Sequence, residues 1–158
     1  MKQLRDSQRR AVYRWEGRVS CRYQLKDKLT LDECKALVRR VHFDYKCNRP
    51  LPKIRDGRGT KKAWGGVREI NLPVWARQTP VVLHEIAHFL LPTLSWHSPQ
   101  YARLLLILLR DYLGVPQRKA YHMGVKQKPR AVRFAPVVDL LLLEDITVQT
   151  AARLPMED

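Results

Sequence analysis

Apolar residues recur at helical spacing in several stretches of this chain. Over residues 31–43, Leu31, Cys34, Leu37, Val38 and Val41 form one such set, and apolar positions three and four apart share a helix face. Thr30 ahead of them, with Glu33 three residues on, reads as a capping box. A second stretch begins with Thr79 as a cap and Pro80 at the first helical position, runs from Val81 to Leu91, and stops at Pro92. A third has Ser98 as cap, Pro99 at the first position and Gly114 as a stop near Leu113. Its apolar arc is Tyr101, Leu104, Leu105, Leu108, Leu109 and Tyr112, with Gln100, Arg103, Arg110 and Asp111 on the polar side. Arg5 to Glu16 reads as a short basic helix.

The pattern changes over 50–66, where Pro50, Pro52, Gly57, Gly59, Gly65 and Gly66 break any helix. Asp56-Gly57 signals a turn flanked by short strands, and residues 67–72 read as a strand stopped by Pro73. Residues 117–133 read as a basic loop or a hairpin, and 136–152 are apolar enough for a last helix. Helix, short strands, helix, helix and a mixed tail make an α+β pattern, with no room for repeated βαβ units. The expected organisation is a domain over 1–135, with an acidic helix or tail, 136–158, packed on it.

Charge adds a partner class. The 158 residues carry 30 Lys+Arg against 15 Asp+Glu, a net +15, which favours anionic partners, nucleic acid first. The excess is uneven: 136–158 holds Asp139, Glu144, Asp145, Glu157 and Asp158 against Arg153 alone. That segment either masks the basic body or forms an ordinary amphipathic terminal helix. The candidate nucleic-acid contacts are Arg118, Lys119, Lys126, Lys128, Arg130 and Arg133, with Tyr121 and Phe134 near enough in sequence to stack on bases. Cys21, Cys34 and Cys47 are odd in number and follow no motif, so reduced thiols are expected. The first residues lack the apolar core of a signal peptide, and runs such as Leu104–Leu109 are too short to span a bilayer. A cytoplasmic protein without membrane contact is expected.

The chemistry concentrates at His84-Glu85-Ile86-Ala87-His88. On a helix His84 and His88 lie one turn apart on one face, so both imidazoles can reach one ion. Glu85 sits about 100° round the wheel, suited to act as a general base on water rather than as a ligand. A catalytic zinc takes three protein ligands, and His97, past Pro92 and just ahead of the Ser98 cap, is the best third. Asp111 is the competing downstream carboxylate, but it falls on the polar side of its helix. His42 is expected at a helix end facing the terminal carbonyls; His122 with Tyr121 is a weaker candidate for stabilising an oxyanion.

His84-Glu85-x-x-His88 followed by His97-Ser98-Pro99-Gln100-Tyr101 resembles the HExxH…HGPxF arrangement of SprT-like (Spartan-type) metallopeptidases. It is more similar still to a family of small metallohydrolases of actinobacteria and their phages. The segment Arg5-Asp6-Ser7-Gln8-Arg9-Arg10-Ala11-Val12-Tyr13-Arg14-Trp15-Glu16 matches that family's opening, and Leu72-Pro73-Val74-Trp75-Ala76-Arg77 matches the strand end before its metal helix. The likeness covers about residues 5–114. It implies a minimal zincin-like fold with the metal helix packed on a small mixed sheet, one catalytic Zn2+ on His84, His88 and His97, and Glu85 as base. Ser98 stands where Gly is usual and Gln100 where an acid is common; neither change removes a ligand.

The expectation is therefore a zinc metallopeptidase acting on a protein or peptide substrate, with DNA-associated proteins a candidate class because the SprT-like branch is associated with them. Strand 67–72 is either an edge strand that pairs with substrate or an ordinary strand of the sheet. The rival reading is a nucleic-acid-binding protein with a structural or relic zinc site. A hydrolase of a non-peptide amide is a third.

Overall fold

The structure is a computed structural model and describes residues 6–92, 96–143 and 146. In chain order the elements are α1 (Arg9–Arg22), α2 (Leu31–Asp44), β1 (Lys53–Asp56), β2 (Trp64–Gly65), β3 (Glu69–Leu72), a 3-10 turn (Val74–Ala76), α3 (Thr79–Leu90), α4 (Pro99–Leu113), α5 (Gln117–Val125) and α6 (Val137–Leu141). This is a mixed α+β fold, as the pattern predicts.

α4 is the centre of the molecule. Every residue from Tyr101 to Leu109 is buried, Arg103 included, and a helix apolar all round belongs in the interior. α3 packs along α4 on one side, and α5 and α6 pack against α4 elsewhere. α1 lies against α5 and is longer than the sequence pattern implies. Its Ala11, Val12, Trp15 and Val19 enter the core, where the Trp15 indole N–H donates to the Ala120 carbonyl at 2.8 Å.

Local signals account for the helix starts. The Thr30 hydroxyl accepts from the Glu33 amide at 3.2 Å and Glu33 accepts from the Thr30 amide at 2.7 Å, closing the capping box of α2. The Ser98 hydroxyl caps α4 by accepting from the Tyr101 amide at 3.1 Å, and Gly114 ends that helix at φ 65°. Thr79, expected to cap α3, is instead its first residue. Its amide donates to Asp27 at 2.8 Å, and its hydroxyl donates to the same carboxylate. The cap comes from 52 residues upstream, so no local pattern could have shown it.

The sheet has the order β1-β3-β2. β1 runs parallel to β3, with Lys53 opposite Glu69 and Asp56 opposite Leu72; β2 runs antiparallel, with Gly65 opposite Ile70. Both edges of β3 are thus paired, and its Ile70, Asn71 and Leu72 are buried. β3 is the interior strand and not a free edge for substrate. The strand that reaches α3 from the sheet's margin is β2. Gly65 allows the approach: a Cβ there would stand 2.1 Å from the Glu85 carbonyl oxygen. Buried Asn71 donates to the Thr60 hydroxyl at 3.0 Å and the Lys62 carbonyl at 2.9 Å, which pins the loop before β2 beside α3.

Two further expectations change. Residues 117–133 are not a loop or hairpin throughout, because Gln117–Val125 is helical and buries Ala120 and Gly124 under α1. Of the predicted last helix over 136–152, Val137–Leu141 is helical; residues 144–145 and 147–158, with most of the acidic tail, lie outside the described residues. No helix among the described residues is long and apolar enough to cross a membrane.

Candidate metal centre

Three histidines converge. His84 and His88 project from α3 one turn apart, and His97 stands just before the cap of α4. Their ligand nitrogens lie within 4.8 Å of one another. The His84 Nε2 is 3.2 Å from the His88 Nε2 and 3.4 Å from the His97 Nε2. Two nitrogens each about 2.0–2.1 Å from a tetrahedral ion lie about 3.3–3.4 Å apart, so the spacing suits a shared metal. Tyr101 braces all three rings: it stacks on His88 at 4.4 Å between centroids, meets His97 and His84 by its edge or face, and its hydroxyl donates to the His84 carbonyl at 3.2 Å.

The tautomers follow from the second ring nitrogens. His84 Nδ1 is 2.7 Å from the Glu16 carboxylate and His97 Nδ1 is 2.6 Å from the Asp6 carboxylate. A carboxylate only accepts, so each Nδ1 carries the hydrogen and each Nε2 turns a lone pair to the shared centre. Two lone pairs facing each other at 3.4 Å repel unless a proton or a metal ion lies between them. The acids Asp6, Glu16 and Glu85 surround the same buried spot, which adds to its demand for positive charge. The residues therefore fit a divalent metal.

Electrostatics agrees. Burial pulls the His84 pKa down, but the charge and hydrogen bond of Glu16, with the charge of Glu85, more than offset it and the net shift is upward. The field that would hold a proton on Nε2 would equally hold a cation. Burial, then repulsion from the neighbouring His84 and His97, depresses His88 to about 2. His97 is also lowered, burial outweighing the help from Asp6. Both stay neutral, as ligands must. Burial raises Glu85 to about 7, with Glu16 adding to the rise and His84 and the Gly65 amide opposing it. A carboxyl near neutrality can both take and return a proton.

Part of this arrangement is absent from the sequence reading. Asp6 and Glu16 lie 91 and 68 residues from the histidines they orient, and Tyr13 stacks on His84 at 5.4 Å and meets His97 edge-on at 5.0 Å. Arg9, Tyr13 and Glu16 fall at positions i, i+4 and i+7 of α1, one face of a helix. That periodicity was available, though nothing local tied it to the histidines.

No family model, curated protein or solved structure matches this chain. The geometry itself must carry the functional reading.

The centre opens on a cleft of about 600 Å³ lined by His84, Glu85, His88, His97 and Tyr13, with Trp64 and Trp96 at its sides. Asp111 is not part of it and pairs with Arg110 at 2.7 Å. His42 stands in the last turn of α2, as expected, and its Nε2 meets the Arg49 carbonyl just beyond that helix at 2.7 Å. His122 lies in a groove with Arg18, Arg22, Lys119 and Lys126, away from the metal cleft, which removes it as an oxyanion donor. Arg118, Lys128, Arg130 and Arg133 are exposed, and Arg133 donates to the Ser7 hydroxyl at 3.0 Å. Tyr121 and Phe134 are not presented for base stacking. They pack on each other and under buried Arg103, and Phe134 meets Trp15 at 5.1 Å. Arg103, placed by its pattern on a polar face, is interior because its Nε donates to the Ala135 carbonyl at 2.7 Å.

Proposed function

We propose that this protein is a zinc-dependent hydrolase, a metallopeptidase of SprT-like type, whose metal is held by His84, His88 and His97. The observation that carries the reading is the set of three Nε2 atoms turned to one point, two of them fixed by carboxylates, beside a buried Glu85 on an open cleft. When bound, zinc supplies Lewis acidity toward a carbonyl and acidifies water. Glu85 takes the proton from the attacking water and returns it to the leaving amine; its carboxylate is steadied by the Gly65 amide. Glu16 and Asp6 hold the His84 and His97 rings in one tautomer and orientation. Tyr13 and Arg9, both on the cleft wall, supply donors for the oxyanion that forms as the carbonyl is attacked. Because β3 is interior, substrate is aligned along β2 and the loop before it, with Trp64 and Gly65 at the cleft.

The groove of Arg18, Arg22, Lys119 and Lys126 favours a second reading, a nucleic-acid-binding protein with a structural zinc. The open cleft weighs against it, since structural zinc sites are closed by four protein ligands. The groove is compatible with substrates that are themselves DNA-associated proteins.

The test is elemental analysis of wild type, Glu85→Gln and His97→Ala, alongside cleavage of casein and of a DNA-bound basic protein. One zinc per chain is expected in wild type and Glu85→Gln, and a reduced content in His97→Ala. Cleavage should fall at least about 100-fold in Glu85→Gln, the scale of a lost general base. Zinc binding with no hydrolysis of any protein would turn the reading toward the structural site.

A further inference from the structure

Beside His84 and Glu85 the cleft continues into a second compartment of about 450 Å³, which neither His88 nor His97 lines. The two spaces share Arg9, Tyr13, His84 and Glu85 as walls. The compartment runs between α1 and α3 to Trp75, and Tyr13, Pro80, Val81, Ala63 and Leu109 line it with apolar surface. Its size falls within the range of small-ligand pockets. Trp75, at the far end, is 54% exposed and turns part of its ring to this space. Lys61 and Lys62 are exposed on the loop that Asn71 pins.

Gly17 explains why the space is open. It lies in the interior of α1, next to Glu16 and one turn beyond Tyr13, on the helix face that looks into the cleft. A glycine inside a helix weakens it. Gly57, Gly65 and Gly124 answer a steric demand and Gly59 and Gly114 a positive φ, but a Cβ built on Gly17 meets nothing within 4 Å. Its backbone is not left-handed either. Neither packing nor conformation calls for glycine here. A side chain at 17 would project into the empty compartment, and Ser20, the next residue on that face, is also small.

We infer that this compartment is a side-chain pocket that selects a large apolar residue, aromatic in the first place, next to the attacked bond, and that Gly17 sets its depth. The inference rests on the peptidase reading for the words "attacked bond", but the pocket can be tested by binding alone.

Zinc-loaded Glu85→Gln protein is titrated calorimetrically with two blocked pentapeptides, identical except for Phe or Gly at the central position. The Phe peptide should bind at least about tenfold tighter, the scale of burying one such side chain. Adding Gly17→Leu should erase the difference, and so should Val81→Phe from the opposite wall, each with zinc content and thermal melt kept. Equal affinity of the two peptides for the unfilled protein would overturn the pocket, as would a Phe preference that survives both fillings. Wild-type hydrolysis of the Phe peptide is followed separately. A Phe preference without cleavage leaves the pocket standing and removes the peptidase reading; cleavage without a Phe preference does the reverse.

Discussion

At the scale of single residues, the candidate site depends on two carboxylates that orient its histidines. Glu16 and Asp6 fix which nitrogen of His84 and His97 is bare. Glu16→Gln and Asp6→Asn are each expected to weaken zinc binding about 10- to 100-fold, measured by competition with a chromophoric chelator. Unchanged affinity in both would mean the carboxylates only pack beside the rings. Cysteine chemistry separates equally sharply. Cys21 is exposed, whereas Cys34 and Cys47 are buried, and burial raises the Cys34 thiol to about 11. The thiolate is the reactive form, so a thiol reagent should label Cys21 in the native protein and reach Cys34 and Cys47 only on unfolding. Mass spectrometry of the labelled peptides checks this.

At the scale of elements, the contact that bears most closely on Glu85 is β2 on α3. The approach is so close that Gly65 has no room for a methyl group, and the atom in the way is helix backbone, which cannot rotate aside. Gly65→Ala must push β2 off α3 and disturb the amide that steadies Glu85. Overpacking of this kind costs about 1–3 kcal/mol, to be read from the denaturant midpoint. Hydrolysis should fall further than stability alone explains. A variant as stable and as active as wild type would show that the strand floats free of the helix. The same logic places the loop before β2, since its position follows from the two bonds made by Asn71 rather than from its own sequence.

At the scale of the whole molecule, the histidine cluster gathers residues from distant parts of the chain. Asp6 and α1 meet α3 and the first residues of α4 around one point. A bound ion therefore stabilises the fold and not only the site. With free zinc at about 100 times its dissociation constant the linkage is about 2.7 kcal/mol, which corresponds to a melting shift of roughly 5–10 °C for a chain of this length. Chelation should lower the calorimetric transition by that amount, and zinc, re-added, should restore it. A transition indifferent to the chelator would separate the metal from the fold.

Much of this was written locally. The helix starts at Thr30 and Ser98, the stop at Gly114, the apolar arc of α4 and the pairing of His84 with His88 follow from neighbours three or four residues apart, because a helix turns that distance back on itself. The sequence by itself therefore determined the α+β pattern, the helix that carries Glu85 beside two histidines, and His97 rather than Asp111 as the third member of their cluster. What only the tertiary structure decided is what lies far apart along the chain. Asp27 caps α3, Asp6 and Glu16 orient the histidines, β3 is interior while β2 faces the cleft, and Arg103 is buried under Tyr121 and Phe134. Each of these is a contact between elements. A hydrogen-bond acceptor or a ring face is set by where two elements meet, and no periodicity within either one records it.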